Sequence, residues 1–323
     1  MTTQRNLGDS GLTTPPLILG GNVFGWTIDR ATSFAVLDAF IAGGGRMIDT
    51  ADVYSVWVPG NVGGESETII GEWLSHRGRR DDVLVATKVG MKPDGPGALS
   101  AERIVAGVEA SLKRLRTDHI DLYYSHRDDA ETPLENTLAA FDQLARSGKV
   151  RAIGASNYEA ARLERALEIS AEQKLARYAV LQPHYNLVAR ELFEGPLQDL
   201  CVAKGIAVVP YFALASGFLT GKYRTPADLA GKARGAAAGK YLDDFGLGTL
   251  AAVDTVAKEA RATPAQVALA WLAAQPSIVA PIASATSVAQ VQDLLATMRL
   301  NLTAEQLALL NAASAKPPSA GPR

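Results

Sequence analysis

Short apolar runs alternate with longer Ala- and Leu-rich stretches along most of this chain, and that alternation limits the folds open to it. The apolar runs occupy 16–19, 46–49, 83–88, 120–126, 150–156, 179–183, 206–211 and 278–282. Runs of this length without polar interruption suit parallel strands covered on both faces. Helical stretches lie between them at 30–42, 65–74, 100–115, 133–147, 158–170, 195–203, 249–261 and 288–298. Ser100 stands before one as a cap candidate. Gly43, Gly44 and Gly45 close another, where a positive φ is needed. Eight strands alternating with eight helices predict a closed (β/α)8 TIM barrel, an α/β fold. Barrels of this kind reach 323 residues as one domain. We therefore read 1–315 as a single domain and the Pro-, Ser- and Gly-rich 316–323 as a disordered tail.

Some pieces stand outside the repeat. Residues 4–14 carry a turn signal between extended segments and predict an N-terminal β-hairpin that closes the barrel bottom. Residues 212–247 form a connection long enough to be functional. Residues 263–274 and 304–313 read as extra helices near the C-terminus, with Pro264 at a first helical position. The segment 92–97 is a turn-rich loop rather than a phosphate loop.

Charge and composition exclude several function classes. With 32 basic and 34 acidic residues the net charge is −2, so neither nucleic acid nor an anionic membrane is an expected partner. The single cysteine, Cys201, cannot form an intrachain disulfide and fits a reducing compartment. No basic segment followed by an apolar core opens the chain, and no apolar run nears the ~18 residues of a membrane span. A cytoplasmic protein, monomeric or a small homo-oligomer, is expected. The histidines at 76, 119, 126 and 184 lack metal-ligand spacing, so no metal is expected.

Chemistry enters at the strand ends. The second, third and fourth runs end in or near Asp49, Lys88 and His126, and Tyr54 follows Asp49 closely. Consecutive parallel strands in a barrel bring their C-terminal ends together. A carboxylate, a phenol, an ammonium and an imidazole would then share one site. A free phenol is a poor acid at neutral pH, with a pKa near ~10. An adjacent ammonium lowers it, and Asp49 can hold Lys88 by an ion pair. His126 can hydrogen-bond the substrate oxygen or the phenol. Such a donor suits a developing alkoxide. The matching event at carbon is hydride delivery, which no side chain provides, so a nicotinamide cofactor is required.

The segment from Asp49 through Thr50-Ala51 to Tyr54 resembles the Asp-Thr-Ala-x-x-Tyr motif of the aldo-keto reductase family. Lys88, ending Val85-Ala86-Thr87-Lys88, and His126 match that family's remaining catalytic positions. The resemblance runs over nearly the whole chain. It implies that Ser156, Asn157 and Gln182 hold the nicotinamide carboxamide and that Tyr211 stacks on the ring. It places Lys222, in Leu219-Thr220-Gly221-Lys222-Tyr223, on the loop over the pyrophosphate. It also implies cofactor contacts at Gly21, Asn22, Val23, Phe212, Ala213, Leu214, Gly217, Ala283, Ser284, Thr286, Ser287 and Gln290. The last of the eight helices offers its N-terminus to a phosphate.

One departure concerns cofactor choice. The family commonly has an arginine before the last helix, reading the adenosine 2′-phosphate; here the segment is Ser284-Ala285-Thr286-Ser287. The family's later Glu-Asn pair, which grips adenine, is replaced by Asp293-Leu294. The resemblance implies NADPH; the missing guanidinium leaves NADH use open. Phe24, Trp26, Trp57 and Tyr185 are candidates for an apolar pocket around a large or cyclic carbonyl substrate. The same residues run in reverse would oxidise an alcohol or sugar. Two other readings are a lyase with Lys88 as Schiff-base nucleophile and a non-catalytic cofactor-sensing subunit.

Overall fold

A computed structural model describes residues 3–91 and 97–316 of the chain. The expected tail beyond 316 and the turn-rich residues 92–96 lie outside the described residues. A hairpin comes first, β1 (Arg5–Asn6) pairing antiparallel with β2 (Thr13–Thr14). The alternation then runs β3 (Ile18–Gly20), α1 (Arg30–Ala42), β4 (Met47–Asp49), α2 (Glu65–Arg77), β5 (Leu84–Val89) and α3 (Ala101–Leu115). It continues with β6 (Ile120–Ser125), α4 (Leu134–Arg146), β7 (Val150–Ser156), α5 (Ala160–Gln173), β8 (Tyr178–Gln182), α6 (Pro196–Lys204) and β9 (Ala207–Val208). The last part holds α7 (Gly235–Gly239), α8 (Asp244–Ala260), α9 (Pro264–Ala273), β10 (Ile282–Ala283), α10 (Val288–Ala296) and α11 (Ala304–Ala313).

All eight strands of the main sheet are parallel, in the order β10-β3-β4-β5-β6-β7-β8-β9. The outer pair is joined by a parallel bridge from Val208 to Ile278 and by the Ile282 N–H donating to the Pro210 carbonyl. The sheet is thereby a (β/α)8 barrel.

Proline explains the strands that are shorter than the sequence implies. The expected runs at 16–19, 206–211 and 278–282 contain Pro16, Pro210 and Pro281, which have no N–H for a ladder. Only Ile18–Gly20, Ala207–Val208 and Ile282–Ala283 pair as strands there. Helix ends shift for capping reasons. The helix expected at 249–261 begins earlier, because Asp243 accepts from the Gly246 N–H at 2.7 Å. The expected cap at Ser100 forms, and Pro264 stands in the first turn of α9 as expected, behind a Thr263 cap. The positive φ after α1 falls on Gly44 (91°), not Gly43. The connection 212–247 is structured by 3₁₀ turns at Ala215–Thr220 and Pro226–Leu229, by α7, and by the start of α8.

The barrel interior is packed by Ile18, Met47, Leu84, Ala86, Leu122, Tyr124 and Val180, with Leu7 and Leu12 of the hairpin in the same cluster. The hairpin therefore plugs the end where the strands begin. Its backbone is pressed against β8: a Cβ at Gly8 would lie 2.4 Å from the Ala179 carbonyl. A second close approach lies deeper, where a Cβ at Gly154 would lie 2.5 Å from the Tyr124 ring. Glycine at 154 makes room for that ring inside the barrel.

Candidate active site

Strand alternation carries the polar residues inward. In β4 Met47 packs inside and Ile48 packs in the outer layer, so Asp49 returns to the interior. In β5 Leu84 and Ala86 are inside and Val85 is outside, which brings Lys88 inward. Thr87 points the other way, its hydroxyl bonding Glu67 of α2. The turn after β4 raises Tyr54 over this pair. Ser55 takes φ 74° there, held by its hydroxyl donating to the Phe24 carbonyl at 2.8 Å.

These side chains form one connected cluster. The Lys88 ammonium is fully buried and donates to Asp49 Oδ2 (2.7 Å), the Thr50 carbonyl (2.7 Å) and Tyr54 Oη (2.9 Å). Tyr54 makes a longer 3.3 Å bond to Asp49 Oδ2. Gln182 donates from Nε2 to Asp49 Oδ1 at 2.8 Å. The His126 ring lies edge-on to Tyr54, with centroids 6.1 Å apart, and its buried Nδ1 has no hydrogen-bond partner among the described residues. Lys88 is wholly buried and does not line the cavity beside it, which disfavours the Schiff-base reading.

Burial sets the protonation states. Loss of water, reinforced by the Asp49 charge, pushes the Tyr54 phenol well above its ordinary value. The direction is opposite to the lowered phenol expected from the sequence, because burial and the Asp49 carboxylate both act to raise it. Burial draws Lys88 down, with the Asp49 carboxylate opposing. Burial, then the Lys88 charge, holds His126 well below its ordinary value, so the ring is neutral. The phenol thus keeps its proton at neutral pH.

A cavity of about 830 Å³ opens above the cluster. It is lined by Asp49, Tyr54 and His126 among the expected catalytic residues, with Lys88 directly beneath. Of the expected cofactor residues, Asn22, Val23, Ser156, Asn157, Gln182, Tyr211, Phe212, Ala213, Leu214, Gly217, Lys222, Ala283, Ser284, Thr286 and Gln290 line it. Gly21 and Ser287 do not. Ser287 instead caps α10, accepting from the Gln290 N–H at 3.3 Å. The polar set near β7 and β8 is internally bonded. Tyr211 donates to Asn157 Oδ1 (2.7 Å), and Asn157 donates to the His126 carbonyl (2.9 Å) and Ser156 Oγ (3.1 Å).

Of the four expected pocket aromatics only Trp57 lines the cavity. Tyr185 is fully buried against Phe193 and Trp271, its hydroxyl on Glu194 at 2.7 Å. Phe24 is fully buried in the core. Both are carried away from the cavity because core packing claims their rings. Trp57 is 48% exposed and lines the cavity. Trp26 backs it edge-on at 5.5 Å.

Several lining residues were not singled out individually from the sequence, among them Lys232 and Arg234. The only available signal was the basic character of a long loop. Arg234 donates to Asn22 Oδ1 at 3.1 Å, and its guanidinium lies 5.3 Å from the Trp26 ring centre. Among the described residues, Lys222, Lys232 and Arg234 form no ion pair with a carboxylate, and burial lowers the pKa of Lys222 and Arg234. Asp293 also lines the cavity, but its carboxylate accepts from Gln266 Nε2 (2.8 Å) and Thr263 Oγ1 (3.1 Å). Among the described residues no group of three or more His, Cys, Asp or Glu could hold a metal, and no helix is long and apolar enough to cross a membrane.

Comparison with known proteins bears on this arrangement. The chain is 35% identical to an uncharacterized oxidoreductase, YrpG, of Bacillus subtilis (strain 168), over 94% of each chain. It is 34% identical to a probable voltage-gated potassium channel subunit beta of Arabidopsis thaliana, covering 90% of this chain and 89% of that one. It is 35% identical to the norsolorinic acid reductase stcV of Emericella nidulans, over 64% of this chain and 56% of the relative. The profile of the Aldo/keto reductase family matches residues 16–315, from the first barrel strand past the last helix. Barrel, strand-end cluster and sequence profile thus agree over the same residues, and the chain belongs to the aldo/keto reductase family.

Proposed function

We propose that the protein reduces a small-molecule aldehyde or ketone to an alcohol, using NADPH or NADH. The buried Lys88–Asp49 pair bonded to a proton-holding Tyr54 at the cavity floor is the observation that carries this reading. The cavity residues fit a dinucleotide chemically. Lys222, Lys232 and Arg234 offer cationic charge for phosphates, and Ser156, Asn157 and Gln182 offer amide and hydroxyl groups for a carboxamide. The bound cofactor supplies the hydride. Tyr54 gives its proton to the carbonyl oxygen. Lys88, already donating to Tyr54 Oη, stabilises the phenolate left behind. Neutral His126 can direct the carbonyl oxygen toward the phenol. Trp57 forms an apolar wall and excludes water.

A panel of carbonyl compounds assayed with NADPH and NADH in parallel tests this. Turnover above background with either cofactor is expected; none with any carbonyl would favour a cofactor-sensing role. Similarity to a named channel beta subunit supports that second reading. The pH dependence has a definite sign. Reduction needs the protonated phenol and neutral His126, so the rate should show no inflection near the ordinary histidine pKa of ~6.5. Alcohol oxidation needs the phenolate, so it should rise with pH instead.

Cofactor preference is open to direct measurement. Ser287→Arg should place a guanidinium beside the α10 N-terminus and tighten NADPH by about 1.5–3 kcal/mol, leaving NADH little changed. Dissociation constants of both cofactors on both proteins decide it. A wild type that already rejects NADH would instead point to Lys222, Lys232 or Arg234 as readers of the 2′-phosphate.

A further inference from the structure

Gln182 sits at the end of β8, 133 residues from Asp49, yet its side chain reaches that carboxylate. Only the nitrogen end of an amide can face a carboxylate, so the orientation is set by charge. Asp49 is 2% exposed and therefore depends on internal donors. Its two oxygens divide the work: Oδ1 takes Gln182, while Oδ2 takes Lys88 and Tyr54. The same glutamine is tied at its backbone, where the Ser156 hydroxyl donates to the Gln182 carbonyl at 2.8 Å. Ser156 in turn accepts from Asn157, and Asn157 from Tyr211. One chain of hydrogen bonds therefore runs from the β7–β9 wall of the cavity to the proton donor.

We infer that Gln182 is a positioning residue for proton transfer: its amide holds Asp49 by one oxygen and so reserves the other for Lys88 and Tyr54. The inference rests on Tyr54 being the proton donor. Without the amide, Asp49 is free to turn, and its undiluted charge grips the phenolic hydrogen and the ammonium more tightly. Proton donation then slows. Oε1, the other end of the amide, remains available to the cavity as an acceptor. A residue serving only to bind cofactor would behave otherwise, altering the cofactor dissociation constant alone.

Two variants separate these outcomes. In Gln182→Glu the acceptor toward the cavity is kept. A protonated carboxyl can donate to Asp49, whereas an ionised one repels it. At saturating cofactor, kcat should fall about 10- to 100-fold at high pH and recover as pH is lowered, whatever the change in cofactor affinity. A kcat within twofold of wild type and flat with pH would overturn the assignment. Gln182→Met removes the donor without adding charge. In the cofactor-free protein, the Lys88 titration, followed by NMR of 13C-labelled lysine and assigned with Lys88→Met, should move upward, since an undiluted Asp49 favours the ammonium. An unchanged Lys88 titration in folded Gln182→Met overturns it independently of any assay. If the wild type turns over no carbonyl while that titration still moves, the carbonyl-reductase reading fails and the Gln182–Asp49 coupling stands.

Discussion

Tyr54→Phe is expected to lower kcat for carbonyl reduction by about 10²–10⁴-fold, the range that a positioned proton donor contributes. The substitution removes one oxygen from a half-buried ring and leaves the aromatic contacts with Trp57 and His126 possible. Cofactor dissociation constants should therefore change little. The loss should appear equally in kcat and kcat/KM, because the interaction matters only as the alkoxide forms. Near wild-type turnover at saturating cofactor would mean that the proton comes from another group, with His126 the nearest alternative. Stability should fall modestly, because the buried Lys88 ammonium loses the acceptor that Tyr54 Oη provides at 2.9 Å, while Asp49 keeps Lys88 and Gln182.

Lys88→Met is expected to damage both chemistry and folding. Lys88 and Asp49 are both buried, so removing the ammonium leaves a carboxylate without its countercharge. Breaking one side of such a pair typically destabilises by about 3–5 kcal/mol. Asp49 keeps the Gln182 donor, which places the expected loss at the lower end. Activity should fall as severely as in Tyr54→Phe, because the phenolate left by proton transfer has no cation beside it. Denaturant unfolding of Lys88→Met against Lys88→Met/Asp49→Asn separates the two effects. The double variant should recover much of the stability and none of the activity. Recovery of both, or of neither, would contradict a charge-based role for the pair.

Much of the site was legible because it depends on local order. A strand points alternate side chains to opposite faces, so Met47-Ile48-Asp49 and Leu84 through Lys88 carry their own orientation. Parallel succession then brings neighbouring strand ends together. The helix cap at Ser100 and the first-turn Pro264 were readable for the same reason, since a helix start depends only on the next few residues. Strand lengths were misjudged where apolar composition hid prolines that accept but cannot donate in the ladder.

What only the tertiary structure decided involves residues far apart in the chain or competition for burial. Tyr185 and Phe24 have the composition of pocket aromatics, yet the core takes both rings, and nothing adjacent in sequence distinguishes them from Trp57. Arg234 reaches Asn22 across 212 residues, and Gln182 reaches Asp49 across 133, through closure of the barrel. The protonation states were likewise undetermined by residue type. A lysine beside a tyrosine argues for a lowered phenol pKa, but the closed barrel removes water and reverses the sign. Sequence therefore determined which groups meet at the strand ends. Desolvation and long-range contacts, which exist only once the barrel closes, decided which of them keep their protons and what holds them in place.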